Sequence, residues 1–167
     1  IIVREGLNSN KDGLGFPFKN ADRDVLRVSE NANEYLEISD SDIYSFGDGV
    51  GDNPFSLEAW VKMEDATSFP IISKGFYNTD FEWLLWTFTD DKLRFALGDE
   101  SVASCYIGRG YDTALTSLEG TWIHIIATYN ASGASSGVKL YLNGDSTAVD
   151  DINDQNTEGS YVAMENL

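Results

Sequence analysis

Four aspartates lie close together in a glycine-containing segment. Residues 40–53 hold Asp40, Asp42, Asp48 and Asp52 together with three glycines. Ca²⁺ prefers clustered carboxylate oxygens carried on such a loop. The spacing is not that of an EF-hand loop, because a tyrosine and a glycine stand where the third ligand and the bidentate acid would be. The segment predicts a calcium site, and the alternative is an acidic loop that is simply solvated.

A second group of residues has the chemistry of a sugar-binding surface. Trp83, Tyr106 and Tyr111 lie in or near predicted loops, and Arg109 stands between the two tyrosines. Aromatic rings stack on pyranose faces, and a guanidinium donates hydrogen bonds to hydroxyl groups. These four residues are therefore candidates for binding a glycan. The alternative is that the rings belong to the core, where most aromatic side chains lie.

Paired acids for catalysis are not evident in the sequence. Glycosidic cleavage needs two facing carboxyl groups, about 5 Å apart in retaining enzymes. Glu58 is a lone acid on its predicted strand, and Glu82 is followed by apolar residues. His124 is the single histidine and Cys105 the single cysteine, and neither stands in a nucleophile motif. We therefore predict no catalytic residue and a protein that is not an enzyme.

Composition excludes several classes of partner. The 167 residues carry 28 acids against 11 lysines and arginines, a formal net charge of -17. Such a charge repels nucleic acids and anionic membrane surfaces. No apolar run approaches the roughly 18 residues of a membrane-spanning helix. With one cysteine the chain forms no internal disulfide.

The hydrophobic pattern indicates β-strands. Residues 55–62 alternate between an apolar face and a second face that carries Ser56, Glu58, Trp60 and Lys62. A period of two with one apolar side is typical of a half-buried antiparallel strand. Residues 92–97 and 121–130 alternate in the same way, whereas residues 81–88 are apolar on both faces, as in a central strand. The predicted core includes Phe55, Leu57, Ala59, Val61, Phe95, Ile123 and Ile125.

Turn signals separate these strands. Asn143-Gly144 is a strong hairpin signal, because both residues tolerate a positive φ. Asp90-Asp91 predicts a two-residue acidic turn, and residues 112–118 are the one place where a helical turn is expected. Many short strands and 15 glycines indicate an all-β protein, either a two-sheet sandwich or a barrel.

Four motifs carry a family resemblance. They are Ala-Trp-Val-Lys at 59–62, Ile-Ile-Ser-Lys-Gly at 71–75, Thr-Trp-x-His at 121–124 running into Ala-Thr-Tyr at 127–129, and Leu-Tyr-Leu-Asn-Gly at 140–144. In this order they resemble laminin-G-like, concanavalin-A-like jelly-roll domains. The resemblance implies a two-sheet antiparallel jelly-roll sandwich that mostly binds rather than catalyses. It also implies a structural role for His124 and calcium binding in some members.

The resemblance also suggests a setting. Residues 35–42 and 46–49 are similar to versions found in bacteriophage structural proteins and marine bacterial surface proteins. We therefore expect a non-catalytic binding or adhesion module of a larger extracellular assembly, most simply a phage virion. It would be a capsid decoration, head-fibre or tail-fibre domain that binds a cell-surface glycan or other virion subunits. The alternatives are a purely structural virion subunit and a secreted carbohydrate-binding domain of a bacterial surface.

The expected domain organisation has two parts. Residues 1–24 are interpreted as a connecting arm, and residues 25–167 as the jelly-roll domain, with first strands at 25–28 and 34–38. Related domains end in a strand that closes the sandwich, and no such strand is seen before Leu167. We expect either that the sequence is a fragment or that a neighbouring subunit in an oligomer supplies the missing strand.

Overall fold

The structure, a computed structural model, describes residues 2–3, 35–76, 81–99, 101–102, 105–145, 152–156 and 161–166. Strands and short 3₁₀ helices are the regular elements within these ranges. The strands are β1 (Ile2–Val3), β2 (Leu36–Glu37), β3 (Phe55–Val61), β4 (Pro70–Gly75), β5 (Phe81–Thr87), β6 (Lys92–Gly98), β7 (Tyr106–Ala114), β8 (Ile123–Tyr129), β9 (Val138–Leu142) and β10 (Ile152–Asp154). The 3₁₀ helices are Asp42–Tyr44, Leu115–Leu118 and Ser135–Gly137.

The strands form two antiparallel sheets. One sheet has the order β10-β7-β6-β5-β4-β1-β2, and the other has the order β3-β8-β9. Strands β4 to β7 follow one another as a meander in the larger sheet. In the smaller sheet, β3 pairs with β8, which is distant from it in the sequence. The predicted all-β class and the two-sheet antiparallel jelly-roll sandwich are confirmed.

The main core lies between the two sheets. Phe55, Phe95, Ile123 and Ile125 are buried there as predicted. Leu57, Ala59 and Val61 are half-buried and pack against the same cluster. Each fully buried side chain of this size stabilises the fold by about 1.5–3 kcal/mol relative to exposure. The alternation in the sequence therefore identified the inward faces of β3, β6 and β8 correctly.

Strand β5 is covered on both faces, as its apolar sequence predicts. Trp83 and Leu85 belong to the main core. Leu84 and Trp86 belong to a second buried cluster that includes Ala96 of β6. Partly buried aromatic residues pack against this second cluster; they are Phe81, Phe88 and Tyr106.

The hairpin turns follow their residue types. Asn143 and Gly144 have φ values of 53° and 73°, which confirms the turn between β9 and the bridge to Asp145. The prediction of a two-residue turn at Asp90-Asp91 is wrong. Phe88 N–H donates to the Lys92 carbonyl at 3.1 Å, which closes a three-residue loop. Asp91, with φ 59°, takes the left-handed position that ends such loops.

Two other predictions need correction at their boundaries. The helical turn expected over residues 112–118 is shorter, because β7 continues through Ala114 and the 3₁₀ helix begins at Leu115. Ile2 and Val3, which the sequence placed in a connecting arm, form β1 and pair with β2 and β4. The rest of the proposed arm and the strand candidate at 25–28 lie outside the described residues. The second strand candidate, 34–38, contains β2.

Residues 161–166 pack along the loop that precedes β3. Met164 is buried, its N–H donates to Asp52 Oδ1 at 2.9 Å, and its carbonyl accepts from Gly49 N–H at 3.0 Å. This segment therefore contributes to the core through loop contacts rather than as a strand. A search of the described ranges finds no helix long and apolar enough to cross a membrane.

Candidate functional site

Trp83 does not belong to an exposed sugar-binding surface. Its side chain is 1% exposed within the main core, and its indole N–H donates to the Tyr44 carbonyl at 2.9 Å. An indole packed between the two sheets has no face left for a pyranose ring. The prediction of a glycan contact is therefore wrong for this residue, because β5 is covered on both sides.

The other three predicted contacts lie on β7 but not on one surface. Tyr106 packs beside Phe81 in the second cluster, with ring centroids 5.8 Å apart. Tyr111 packs against the main core on the opposite side of the sheet. Arg109 is half-buried and, two positions from Tyr111, shares its face of the strand. The structure thus separates Tyr106 from Arg109 and Tyr111, and a role in ligand binding for these three stays a prediction.

Asp52 is surrounded by donors from the protein itself. Its Oδ2 accepts hydrogen bonds from the hydroxyls of Tyr129 at 2.7 Å and Tyr161 at 2.8 Å. Its Oδ1 accepts from Met164 N–H at 2.9 Å. These bonds join the loop before β3, the end of β8 and residues 161–166. Asp52 therefore has a structural role in tying three distant segments together.

Burial and the contacts with Asp52 raise the pKa values of the two tyrosine hydroxyls. Burial raises the pKa of Tyr161, and the nearby Asp52 carboxylate raises it further. The pKa of Tyr129 is also raised, first by burial and then by its hydrogen bond to Asp52. Both hydroxyls consequently remain protonated donors well into the alkaline range.

Asp48 organises its own loop. Its Oδ1 accepts from the N–H groups of Val50 at 3.0 Å and Gly51 at 2.9 Å. The bonds from Gly51 and Val50 lower the pKa of the Asp48 carboxyl, because they stabilise its charged form. This is a side-chain turn of the kind that aspartate forms readily.

Asp40 contacts a lysine, whereas Asp42 contacts an asparagine. The buried Lys74 ammonium contacts Glu82, the Asn166 side-chain oxygen and, at 3.4 Å, Asp40 Oδ1. Asp42 Oδ1 accepts from the Asn166 amide at 2.8 Å. Although burial opposes ionisation of Asp40, attraction to Lys74 and its hydrogen bonds lower the pKa of that carboxyl.

The four predicted calcium ligands thus have three different environments. Lys74 places a positive charge 3.4 Å from Asp40, and protein donors occupy both oxygens of Asp52. Within the described ranges, no group of three or more histidine, cysteine, aspartate or glutamate side chains is placed to hold a metal ion. Calcium binding by Asp40, Asp42, Asp48 and Asp52 stays a prediction.

The outer surface of the β3-β8-β9 sheet exposes large aromatic side chains. Trp60 is 63% exposed and Trp122 is 46% exposed. We call this surface the aromatic face. Its residues share the outward side of the three strands and include Glu58, Trp60, Lys62, Trp122, His124, Ile126, Lys139 and Tyr141. The sandwich core covers the opposite side of the same sheet.

The centre of the aromatic face is a stacked pair of rings. Trp60 on β3 is the cross-strand partner of His124 on β8. Their ring centroids are 4.7 Å apart and their planes differ by 19°. His124 Nε2 lies 2.8 Å from Glu58 Oε1, so the imidazole is held between an indole and a carboxylate.

Two hydrogen bonds also fix the backbone of His124. His124 N–H donates to the Asn143 side-chain oxygen at 2.9 Å, and Asn143 N–H donates to the His124 carbonyl at 2.7 Å. The turn that the Asn143-Gly144 motif forms therefore holds the position of His124. The ring of Trp60 stacks on His124, whose backbone these two bonds hold in place.

This arrangement has the chemistry of a carbohydrate contact. One face of the Trp60 ring rests on His124, and the largely exposed indole is held as a flat apolar surface. The Glu58 side chain is 65% exposed and can accept hydrogen bonds from sugar hydroxyls. The sequence held a signal for this site, because alternation placed Trp60 on the outward face of β3 with Ser56 and Glu58. Because the apolar face of β3 packs on the core, the alternation predicts that a tryptophan at this position is exposed.

Comparison with protein-family models agrees with the fold. The model described as the concanavalin A-like lectin/glucanases superfamily, a laminin-G type, matches residues 29–164. The chain belongs to this superfamily, whose name covers lectins and glucanases. Neither the comparison with curated proteins nor that with solved structures gave a match. Membership fits a binding module and is equally compatible with the glucanase members of the superfamily.

Proposed function

We propose that this domain is a non-catalytic binding module that holds a carbohydrate on its aromatic face. The observation that carries the proposal is Trp60, whose indole is 63% exposed and yet stacked on His124. An exposed tryptophan leaves a large apolar area in water, which favours burial under a ligand. A pre-positioned ring also loses little conformational freedom when the ligand binds.

The positions of Glu58 and Glu82, the two glutamates considered for catalysis, support binding without turnover. Glu82 is fully buried and ion-paired with Lys74, so a substrate does not reach it. Glu58 lies on the other sheet, where it faces His124. Retaining cleavage needs an acid and a nucleophile on either side of one glycosidic bond. These two glutamates are separated by the core and do not form such a pair.

The setting that we propose is an extracellular assembly, either a phage virion or a bacterial surface. The resemblance of residues 35–42 and 46–49 to such proteins supports this setting, and so does the net charge of -17, which keeps a protein soluble in salt. In a virion the same domain would be a decoration or fibre module that meets a host glycan.

A purely structural virion subunit is the second candidate. The aromatic face also supports this alternative, because Trp60, Trp122 and Tyr141 are residue types enriched at protein interfaces. In that case a neighbouring subunit rather than a glycan would cover the surface.

The proposal is tested by titration calorimetry with beta-glucans, galactans and host envelope polysaccharides. Trp60→Ala should weaken saccharide binding at least about tenfold, as loss of a central aromatic contact does. Ile43→Ala, which also truncates an exposed apolar residue, should bind like the wild type. Unchanged binding in Trp60→Ala would remove the aromatic face as the site.

A reducing-sugar assay on the same saccharides tests the absence of catalysis. Product should stay at background for the wild type. Turnover that Glu58→Gln abolishes would contradict the proposal and assign the chain to the hydrolases of its superfamily.

A further inference from the structure

Some lysines and arginines of the described residues contact a carboxylate, and others do not. Lys74, Lys92 and Arg94 each contact a carboxylate, at Glu82, Asp112 and Asp90 respectively. Lys62 and Lys139 are exposed and make no ion pair with any residue in the described ranges. Both lie on the aromatic face.

Strand geometry fixes the direction of both side chains. Lys62 directly follows β3 between Val61 and the buried Met63, which point to the core, so Lys62 points outward. Lys139 lies between the buried Val138 and Leu140 of β9 in the same way. Lys62 is two positions from Trp60, about 7 Å along the strand.

The Glu58 carboxylate on the aromatic face already contacts a protein group through one of its oxygens. Glu58 lies two positions from Trp60 on the side away from Lys62, and one of its oxygens is 2.8 Å from His124 Nε2. Lys139 is farther away, on the other edge strand, where it faces Thr128 of β8. A ligand that covers Trp60 therefore meets the Lys62 ammonium, which has no ion-pair partner among the described residues, on one side and the Glu58–His124 pair on the other.

We propose that the saccharide bound on the aromatic face is an anionic one, with a carboxylate or sulfate group on Lys62 and a pyranose ring on Trp60. This inference rests on the proposed function. An unpaired ammonium beside a stacking ring favours a ring that bears a negative substituent. Glu58 then accepts from a neutral hydroxyl on the far side of the ring.

The net charge of -17 opposes approach of such a ligand but does not prevent its contact. Long-range repulsion is screened over about 8 Å at physiological ionic strength and over shorter distances in more concentrated salt. The contact with Lys62 is shorter than that length. We therefore expect the affinity for an anionic saccharide to rise as salt is first added and to fall only when the contact itself is screened.

A matched pair of polysaccharides tests the inference. A sulfated galactan and the same galactan after desulfation are titrated into the wild type, Lys62→Gln and Lys92→Gln. Lys92→Gln is the control, because it removes the same charge from a lysine on the other sheet that is paired with Asp112. We expect the sulfated form to bind more tightly, and Lys62→Gln to weaken its binding about five- to tenfold.

The outcomes separate this inference from the proposed function. If Lys62→Gln reduces binding of the sulfated form alone and Lys92→Gln does not, the inference is supported. If both forms bind equally, or both variants behave alike, the anionic assignment is overturned while carbohydrate binding stands. If neither galactan nor any other tested saccharide binds, both proposals are overturned.

Discussion

At the scale of single residues, Asp52 shows how one carboxylate organises a β-sandwich. It accepts from the hydroxyls of Tyr129 and Tyr161 and from Met164 N–H. Removal of such an acceptor leaves donors unsatisfied, and each buried donor of this kind costs about 1–3 kcal/mol. The contribution of Asp52 to stability is therefore larger than its place in a loop suggests.

Asp52→Ala should lower the free energy of unfolding by about 2–4 kcal/mol. The physical reason is the loss of its three hydrogen bonds at once. Urea denaturation monitored by tryptophan fluorescence measures the effect. Asp112→Ala is the matched control, because Asp112 is 58% exposed and its ion pair with Lys92 is worth about 1 kcal/mol or less. Equal effects of the two substitutions would show that Asp52 does not have this role.

The two tyrosines predict an alkaline limit to stability. Burial and the Asp52 carboxylate raise the pKa of Tyr161 above the value of about 10 that tyrosine has in an unfolded chain. Above about pH 10 the unfolded state therefore binds fewer protons than the folded state, and stability falls as pH rises. Below that pH this contribution is fully present and constant.

Thermal unfolding between pH 8 and pH 11 tests the sign of this dependence. The melting temperature of the wild type should fall above about pH 10, and Tyr161→Phe should show a shallower fall because it has one hydroxyl fewer to ionise. A pH profile of Tyr161→Phe as steep as that of the wild type would contradict the assignment.

At the scale of elements, the local pattern predicted β3, β5, β6 and β8, but it placed Tyr106 and Tyr111 of β7 in or near loops. Alternation gave the inward side of β3 and the outward position of Trp60, because side-chain direction in a strand depends only on parity. The Asn143-Gly144 turn followed from backbone preference alone. By contrast, Asp52 meets Tyr129 and Tyr161 across 77 and 109 positions of sequence. Contacts of this kind depend on how distant segments pack, and no local pattern encodes them.

The aspartate cluster shows the same limit. Residues close in sequence suggested a shared cation, but tertiary contacts give Asp40 to Lys74 and Asp52 to two tyrosines. Trp83 was predicted to lie in or near a loop, although residues 81–88 are apolar on both faces as in a covered central strand, and the structure buries its indole.

The packing of residues 161–166 on the loop before β3 can be tested at one glycine. A Cβ at Gly47 would lie 2.1 Å from the Met164 carbonyl oxygen, a backbone atom. Gly47→Ala should therefore displace the segment and reduce stability by about 1–3 kcal/mol. Gly51→Ala, in the same loop, meets no atom within 4 Å and should be nearly neutral. Chemical denaturation of both variants measures the difference, and equal stability would contradict the packing described.

At the scale of the whole molecule, the sequence predicted the class of fold but not the order of all strands. The seven-stranded sheet places β1 between β4 and β2, and two residues with no pattern of their own form that strand. Alternation and turn signals predicted the hairpin of β5 and β6 and the turn after β9, but not the pairing of β3 with β8 or of β6 with β7. The positions of the remaining strands in the sheets depend on how segments that are distant in sequence pack together.

Calcium binding is a property of the whole molecule that stability measurements test. If the loop with Asp40, Asp42, Asp48 and Asp52 binds Ca²⁺ in the native state alone, added calcium should raise the melting temperature and chelator should lower it. Calorimetric scans with excess chelator and with millimolar calcium give the answer. Magnesium at the same concentration controls for ionic strength. Identical melting temperatures in all conditions would dispose of the calcium prediction.

The central claim is that a carbohydrate binds on the aromatic face. The chain has four tryptophans, so a ¹H–¹⁵N spectrum carries four indole N–H signals, of which two arise from the exposed Trp60 and Trp122 and two from the buried Trp83 and Trp86. A saccharide that binds in calorimetry is titrated while these signals are followed. We predict that the Trp60 signal shifts with saturation and that the signals of Trp83 and Trp86 stay in place. A saturable shift of Trp83 or Trp86 with Trp60 unmoved would contradict the claim.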